Sequence, residues 1–135
     1  MYIMPFGHQN ISVSSGTNAP SNRLIIIRGD DYSSAENRSI DWTDTGSVWP
    51  DLTSGSISFT AKKNTRDSTL TSTGSVIVAT GANKQVRAEP THAETTGLKV
   101  GDDWLYDVQV TLPSGSFITL VHGNLSIVED YAIPN

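Results

Sequence analysis

Between residues 103 and 129 the chain alternates apolar and polar side chains with a period of two. Trp104, Tyr106, Val108, Val110 and Leu112 fall on one phase, and Leu105, Asp107, Gln109 and Thr111 on the other. That spacing places the two sets on opposite faces of a β-strand. Pro113, Ser114, Gly115 and Ser116 follow with turn chemistry, a preset φ at Pro113 and a permissive backbone at Gly115. Residues 117–121 form a second β-rich run, so the pair predicts a hairpin. Gly123 and Asn124 predict a further turn into a third strand at residues 125–128. Three such strands make a meander whose inner face needs a second layer to cover it.

The same pattern recurs upstream in shorter pieces. Leu24, Ile25, Ile26 and Ile27 form a continuous apolar run, as in a buried strand. Ile40 and Trp42 flank Asp41 in another short strand, and Ile57, Phe59 and Ala61 alternate with Ser56, Ser58, Thr60 and Lys62 in a clean amphipathic one. Further strands are expected at residues 76–79 and 85–89, and Ile11 and Val13 fit a short strand. Residues 64–74, polar and rich in Thr, Ser and Asp, read as an exposed loop. Thr91 and Glu94 have capping-box spacing and predict one helical turn. Val48, Trp49, Pro50, Asp51 and Leu52 read as an irregular apolar link, which Pro50 keeps out of a central strand. The whole predicts an Ig-like antiparallel β-sandwich of about eight strands at residues 22–135. Residues 1–21 read as an N-terminal arm and linker, apolar at Tyr2, Ile3, Met4 and Phe6 and then rich in Ser, Gly, Asn and Pro.

Composition sharpens this picture. The chain has 17 Ser and 15 Thr among 135 residues; Thr suits strands, Ser suits turns, and neither favours helix interiors. With no cysteine there is no disulfide framework or thiolate metal site, so stability must come from sheet packing or assembly. A net charge of −5 argues against non-specific nucleic-acid binding. No apolar run approaches a membrane helix in length, and no basic segment followed by an apolar stretch marks a signal peptide. The expectation is a soluble protein made in the cytoplasm.

Candidate chemistry is sparse. His8, His92 and His122 show no metal-ligand spacing, and Asp41 to Gly46 lacks the carboxylates and closing Glu of a calcium loop. The pairs Asp30–Asp31 and Asp102–Asp103 read as turn formers. There is no nucleophile elbow, and Glu36, Glu89, Glu94 and Glu129 are scattered rather than paired for glycoside hydrolysis. Arg28-Gly29-Asp30 matches a tripeptide that integrins read, but it ends a strand, where Gly29 is expected to turn the chain. Asn10, Asn37 and Asn124 each begin a glycosylation tripeptide. Of the three tryptophans, Trp104 alternates with core positions, and Trp49 is the one expected to stand exposed, against a partner or a sugar. No catalytic, cofactor or metal site is expected.

The run Ile27-Arg28-Gly29-Asp30-Asp31, the triplet Ile40-Asp41-Trp42 and the stretch Asp51-Leu52-Thr53-Ser54-Gly55-Ser56-Ile57-Ser58-Phe59-Thr60 resemble small virion proteins of tailed bacteriophages. So do Leu98 and Gly101 leading into Tyr106-Asp107-Val108-Gln109-Val110, the Gly-bearing segment 115–123, and the close on Val128-Glu129-Asp130. The same order occurs in the N-terminal β-sandwich domains of phage baseplate upper proteins. The likeness spans roughly residues 24–130, and departs from the usual pattern where Ser54 displaces the turn glycine to Gly55. It implies a non-enzymatic structural protein of the virion, assembled in the host bacterial cytoplasm. Its partners would be the major capsid protein or tail and baseplate subunits, and copies of itself, a trimer being one arrangement. No receptor-binding or coiled-coil extension follows Asp130, so a self-standing assembly module is expected, as head decoration (cement) or tail and baseplate component. Head decoration is slightly favoured, because the chain is short. Contacts would run through Tyr2, Ile3, Met4, Phe6 and Trp49. The alternative is a carbohydrate-binding β-sandwich using Trp49 and loop aspartates.

Overall fold

The computed structural model describes residues 9–13 and 23–129. The expected apolar arm contacts Tyr2, Ile3, Met4 and Phe6 lie outside them. Eight strands form: β1 (Gln9–Val13), β2 (Leu24–Ile27), β3 (Ile40–Asp44), β4 (Ser56–Lys63), β5 (Thr69–Val78), β6 (Lys84–Ala88), β7 (Gly101–Thr111) and β8 (Phe117–Val128). Among the described residues, one short helix, α1 (His92–Thr95), and one 3-10 turn (Ser34–Glu36) complete the regular elements. The all-β class expected from the alternation is the class observed.

The strands make one sheet in the order β1-β3-β6-β5-β4-β7-β8-β2. Five of its pairings are antiparallel, and the two outermost, β1 with β3 and β2 with β8, are parallel. The sheet rolls on itself into a nearly closed barrel. Trp42 on β3 lies 5.6 Å from Phe59 on β4 and 5.8 Å from Tyr106 on β7, although β3 neighbours neither strand. These three rings form the centre of the core, with offset, tilted geometry that suits aromatic quadrupoles. The Trp42 indole N–H donates to the Tyr106 hydroxyl at 3.2 Å, and burial pushes the Tyr106 phenol up to about 12.

Two stretches differ from the sequence reading. Residues 64–74 are not one loop: β5 begins at Thr69. Its inward positions are Leu70, Ser72, Gly74 and Val76, so over residues 69–74 only Leu70 carries a bulky apolar side chain. A Cβ on Gly74 would stand 2.5 Å from the Arg87 carbonyl oxygen and 2.7 Å from an Ile57 methyl, which accounts for glycine at this close approach. Likewise β8 runs unbroken through Gly123 and Asn124, paired with Tyr106 and Leu105, so the meander is a hairpin of two long strands. The helical turn forms where expected. Thr91 accepts from the Glu94 N–H, and Glu94 accepts from the Thr91 N–H at 2.8 Å. Residues 9–13, inside the segment read as arm and linker, belong to the sheet as β1.

Candidate functional site

The end of the barrel formed by the close of β3, β5 and β7 and the start of β4, β6 and β8 carries most of the outward apolar groups. Val48, Ile77, Val78 and Phe117 lie there, while Val100 and Leu105 are the other exposed large hydrophobics among the described residues. Two β-bulges turn Ile77, Val78 and Phe117 outward, and Val48 lies in the loop after β3. On β5 the register passes from Val76 opposite Val86 to Val78 opposite Gln85, and the extra residue, Ile77, leaves both Ile77 and Val78 exposed. On β8 the register passes from Val121 opposite Val108 to Thr119 opposite Gln109. Leu120 is the extra residue, so Leu120 and Val121 both point inward and the phase reverses. Phe117, which strict alternation from Val121 would bury, is turned outward and is 74% exposed.

The loop over this end is rigidly tied. Asp44, buried at the end of β3, accepts from the Val48 and Trp49 backbone N–H groups, each at 2.9 Å. That pulls the Trp49 ring inside, where its indole N–H donates to the Leu120 carbonyl at 3.1 Å. The expectation that Trp49 stands exposed is therefore corrected: it is 5% exposed and part of the core. Proline at position 50 excludes a central strand, as expected, but the link folds inward because the Asp44 carboxylate satisfies its backbone. Trp42 and Trp104 are buried as well, so no tryptophan offers a stacking platform.

A second surface is a shallow groove of about 850 Å³ on the outer face of β4, β7 and β8. Two rows cross it in register, Thr60–Asp107–His122 and Lys62–Leu105–Asn124, with Arg66 at its rim. Burial raises the Asp107 carboxyl above its ordinary range, and the charges of His122 and Lys62 pull it back. In a hydrolytic triad the imidazole stands between carboxylate and nucleophile. Here Asp107 stands between the hydroxyl and the imidazole, so the row does not activate Thr60.

Three of the four aspartates in the acidic pairs singled out in sequence are engaged internally. Asp30 binds Arg38 at 3.0 Å, and Arg38 lies 5.0 Å above the Tyr32 ring. Asp31 accepts from the His92 N–H, and Asp103 binds Lys63 at 2.9 Å. Arg28 pairs with Glu129 and Gly29 turns the chain at φ +90°, so Arg28-Gly29-Asp30 is a structural corner. The Thr95 hydroxyl donates to the Asp30 carbonyl at 2.8 Å and accepts from the Gly29 N–H at 3.1 Å, docking α1 onto that corner. Among the described residues no three His, Asp or Glu side chains gather to hold a metal ion, and no helix is long and apolar enough to cross a membrane. His8 lies outside the described residues.

Of the expected contact residues, Trp49 is inside, and Tyr2, Ile3, Met4 and Phe6 lie outside the described residues. The apolar end was not read from sequence, because bulges shift phase without changing composition. No protein-family model matches the chain, and no curated protein matches it.

Proposed function

We propose that this chain is a structural subunit of a tailed-bacteriophage particle, holding its place by contact with neighbouring subunits and performing no catalysis. The observation that carries the reading is the apolar barrel end, with Phe117 74% exposed on the rim of a rigid hairpin and Val48, Ile77 and Val78 at the same end. Exposed apolar groups gathered on one part of a surface mark contact sites more often than scattered ones do. A standard contact takes about 800 Å² per partner, roughly a tenth of the chain's 7323 Å² surface, an area that one end of the barrel can supply. The phage assignment itself rests on the likeness across residues 24–130. Head decoration and tail or baseplate attachment both use such a contact, with capsid, tail or identical subunits as partners.

The carbohydrate-binding alternative rested on Trp49 and loop aspartates, and the burial of that ring leaves it without its stacking platform. The test is binding of the purified protein to phage particles that lack it, made from the genome that encodes it. Saturable occupancy, lost in Phe117→Asp while the thermal melt is kept, supports the proposal. Equal occupancy of the variant and the wild type counts against this end as the contact.

A further inference from the structure

Strand β1 is held in its own barrel by two contacts of different kinds. On one side it makes a parallel ladder with β3, from Gln9 opposite Ile40 to Val13 opposite Asp44. On the other side it meets β2, the opposite edge of the sheet, and a single side chain closes the seam. The Gln9 carboxamide donates from Nε2 to the Ile25 carbonyl at 2.9 Å, and its Oε1 accepts from the Ile25 N–H at 3.1 Å. It thereby presents to Ile25 the donor and acceptor that a neighbouring strand's peptide would. Ile11 and Val13 on β1 point into the core. The slot between β3 and β2 is thus specific: it takes a parallel strand with an amide at its first position and apolar residues two and four places on.

Among the described strands only β1, an edge strand, carries that pattern within its own bounds, at Gln9, Ile11 and Val13. Residues 14–22, which tie it to β2, are Ser, Gly, Thr, Asn, Ala and Pro only. Nine residues of this composition have a coil reach of about 16 Å and a fully extended reach of roughly 30 Å. Moving β1 into an identical barrel remakes every ladder bond, the Gln9 clasp and the burial of Ile11 and Val13. Closed and exchanged forms then differ mainly in linker path and concentration. A short linker of this composition gives an effective concentration in the millimolar range, so dilute copies would keep their own strand and copies held side by side would trade it.

We propose that β1 is an exchangeable strand that completes the barrel of a second copy of this chain, with Gln9 clasping Ile25 of the partner subunit. The exchange would carry the apolar residues Tyr2, Ile3, Met4 and Phe6, which directly precede β1 in sequence, onto that copy. It does not depend on the phage assignment or on the Phe117 end, and it uses different residues.

The absence of cysteine makes the test clean. Ser12 and Thr43 are register partners on the outer face of β1 and β3, at a strand spacing of about 4.8 Å that suits a disulfide. Two full-length versions, Ser12→Cys and Thr43→Cys, distinguished by mass, are refolded together at about 1 mM and at about 1 µM and then oxidised, concentrations chosen above and below where exchange competes. The expected result is a disulfide joining the Ser12→Cys chain to the Thr43→Cys chain at the high concentration, and little of it at the low one. The control pair, Ser12→Cys with Thr73→Cys on the exposed face of β5, should give no more than collisional background. Inter-chain yield no greater than that background at the high concentration would overturn the proposal. The double variant Ser12→Cys/Thr43→Cys must close its bond within one chain at the low concentration; if it does not, the register fails and the proposal fails with it.

Discussion

Replacing Trp49 by Ala separates a core residue from a contact residue. The ring is 5% exposed, its indole N–H is spent on the Leu120 carbonyl at 3.1 Å, and the Asp44 carboxylate holds its backbone. Truncating a buried aromatic side chain costs about 3–5 kcal/mol. Leaving the Leu120 carbonyl without its donor lies within the ~1–3 kcal/mol range for an unsatisfied buried group, at the lower end if water reaches it. Against a total stability of about 5–15 kcal/mol, a loss near 4 kcal/mol is large. At roughly 3–5 °C per kcal/mol for a chain of this length, the melting temperature should fall by about 10–20 °C. Trp49→Phe keeps most of the volume but loses the donor and part of the bicyclic ring, so its cost should be about 2 kcal/mol, below that of Trp49→Ala. Thermal and urea unfolding followed by far-UV circular dichroism measure both. A Trp49→Ala melt within about 3 °C of wild type would refute the core assignment and return the ring to the surface.

Other outcomes follow from single contacts. Gly74→Ala places a methyl 2.5 Å from the Arg87 carbonyl oxygen and 2.7 Å from an Ile57 methyl, so β5 must shift from β6. A loss of about 1–3 kcal/mol in urea titration is expected, and an unchanged midpoint would contradict the packing. Asp67 is held down to about 2, first by its hydrogen bond from Lys99 and then by that from Thr65. Its folded value lies below the ordinary 3.8, so its contribution is complete above that pH and is lost as pH falls through about 2. Carboxyl NMR titration should find the low value and see it rise in Lys99→Ala; an unmoved value would show that the ion pair does not form in solution. Asp107 is shifted the other way, by burial, so the folded state favours its protonated form and loses stability as pH rises through the folded value. Asp107→Asn should therefore be more stable than wild type at neutral pH, with the gain vanishing in acid. Melts at both pH values check the sign, and a variant less stable at neutral pH would contradict it.

The alternation of Trp104, Tyr106, Val108 and Val110 was enough to read β7, the hairpin partner and the all-β class, because those side chains do face the core. The Thr91–Glu94 spacing was enough to read α1, since capping is local chemistry. What stayed hidden depended on partners distant in sequence. On β5 small residues stand opposite Ile57 and Phe59, so Gly74 and Ser72 carry no apolar signal and the strand looked like a loop. On β8 Gly123 is paired with Tyr106 inside the strand and does not turn the chain. The parallel edge pairings of β1 and β2 have no local signature. The outward Phe117 follows from a one-residue bulge at Leu120, which a period of two does not anticipate. Trp49 was misplaced because Pro50 speaks only to backbone regularity, whereas the buried Asp44 carboxylate decides where the loop goes.

The most direct measurement is quantitative mass spectrometry of purified phage particles produced by the genome that encodes this chain, carrying either the wild-type protein or Phe117→Asp. A structural subunit docked through the apolar barrel end should be present at a copy number set by the particle's symmetry, and depleted at least tenfold by the substitution, about 1.4 kcal/mol or more of contact energy. Absence of the wild-type protein from purified particles, with the folded protein recovered free in the lysate, would contradict the structural role itself.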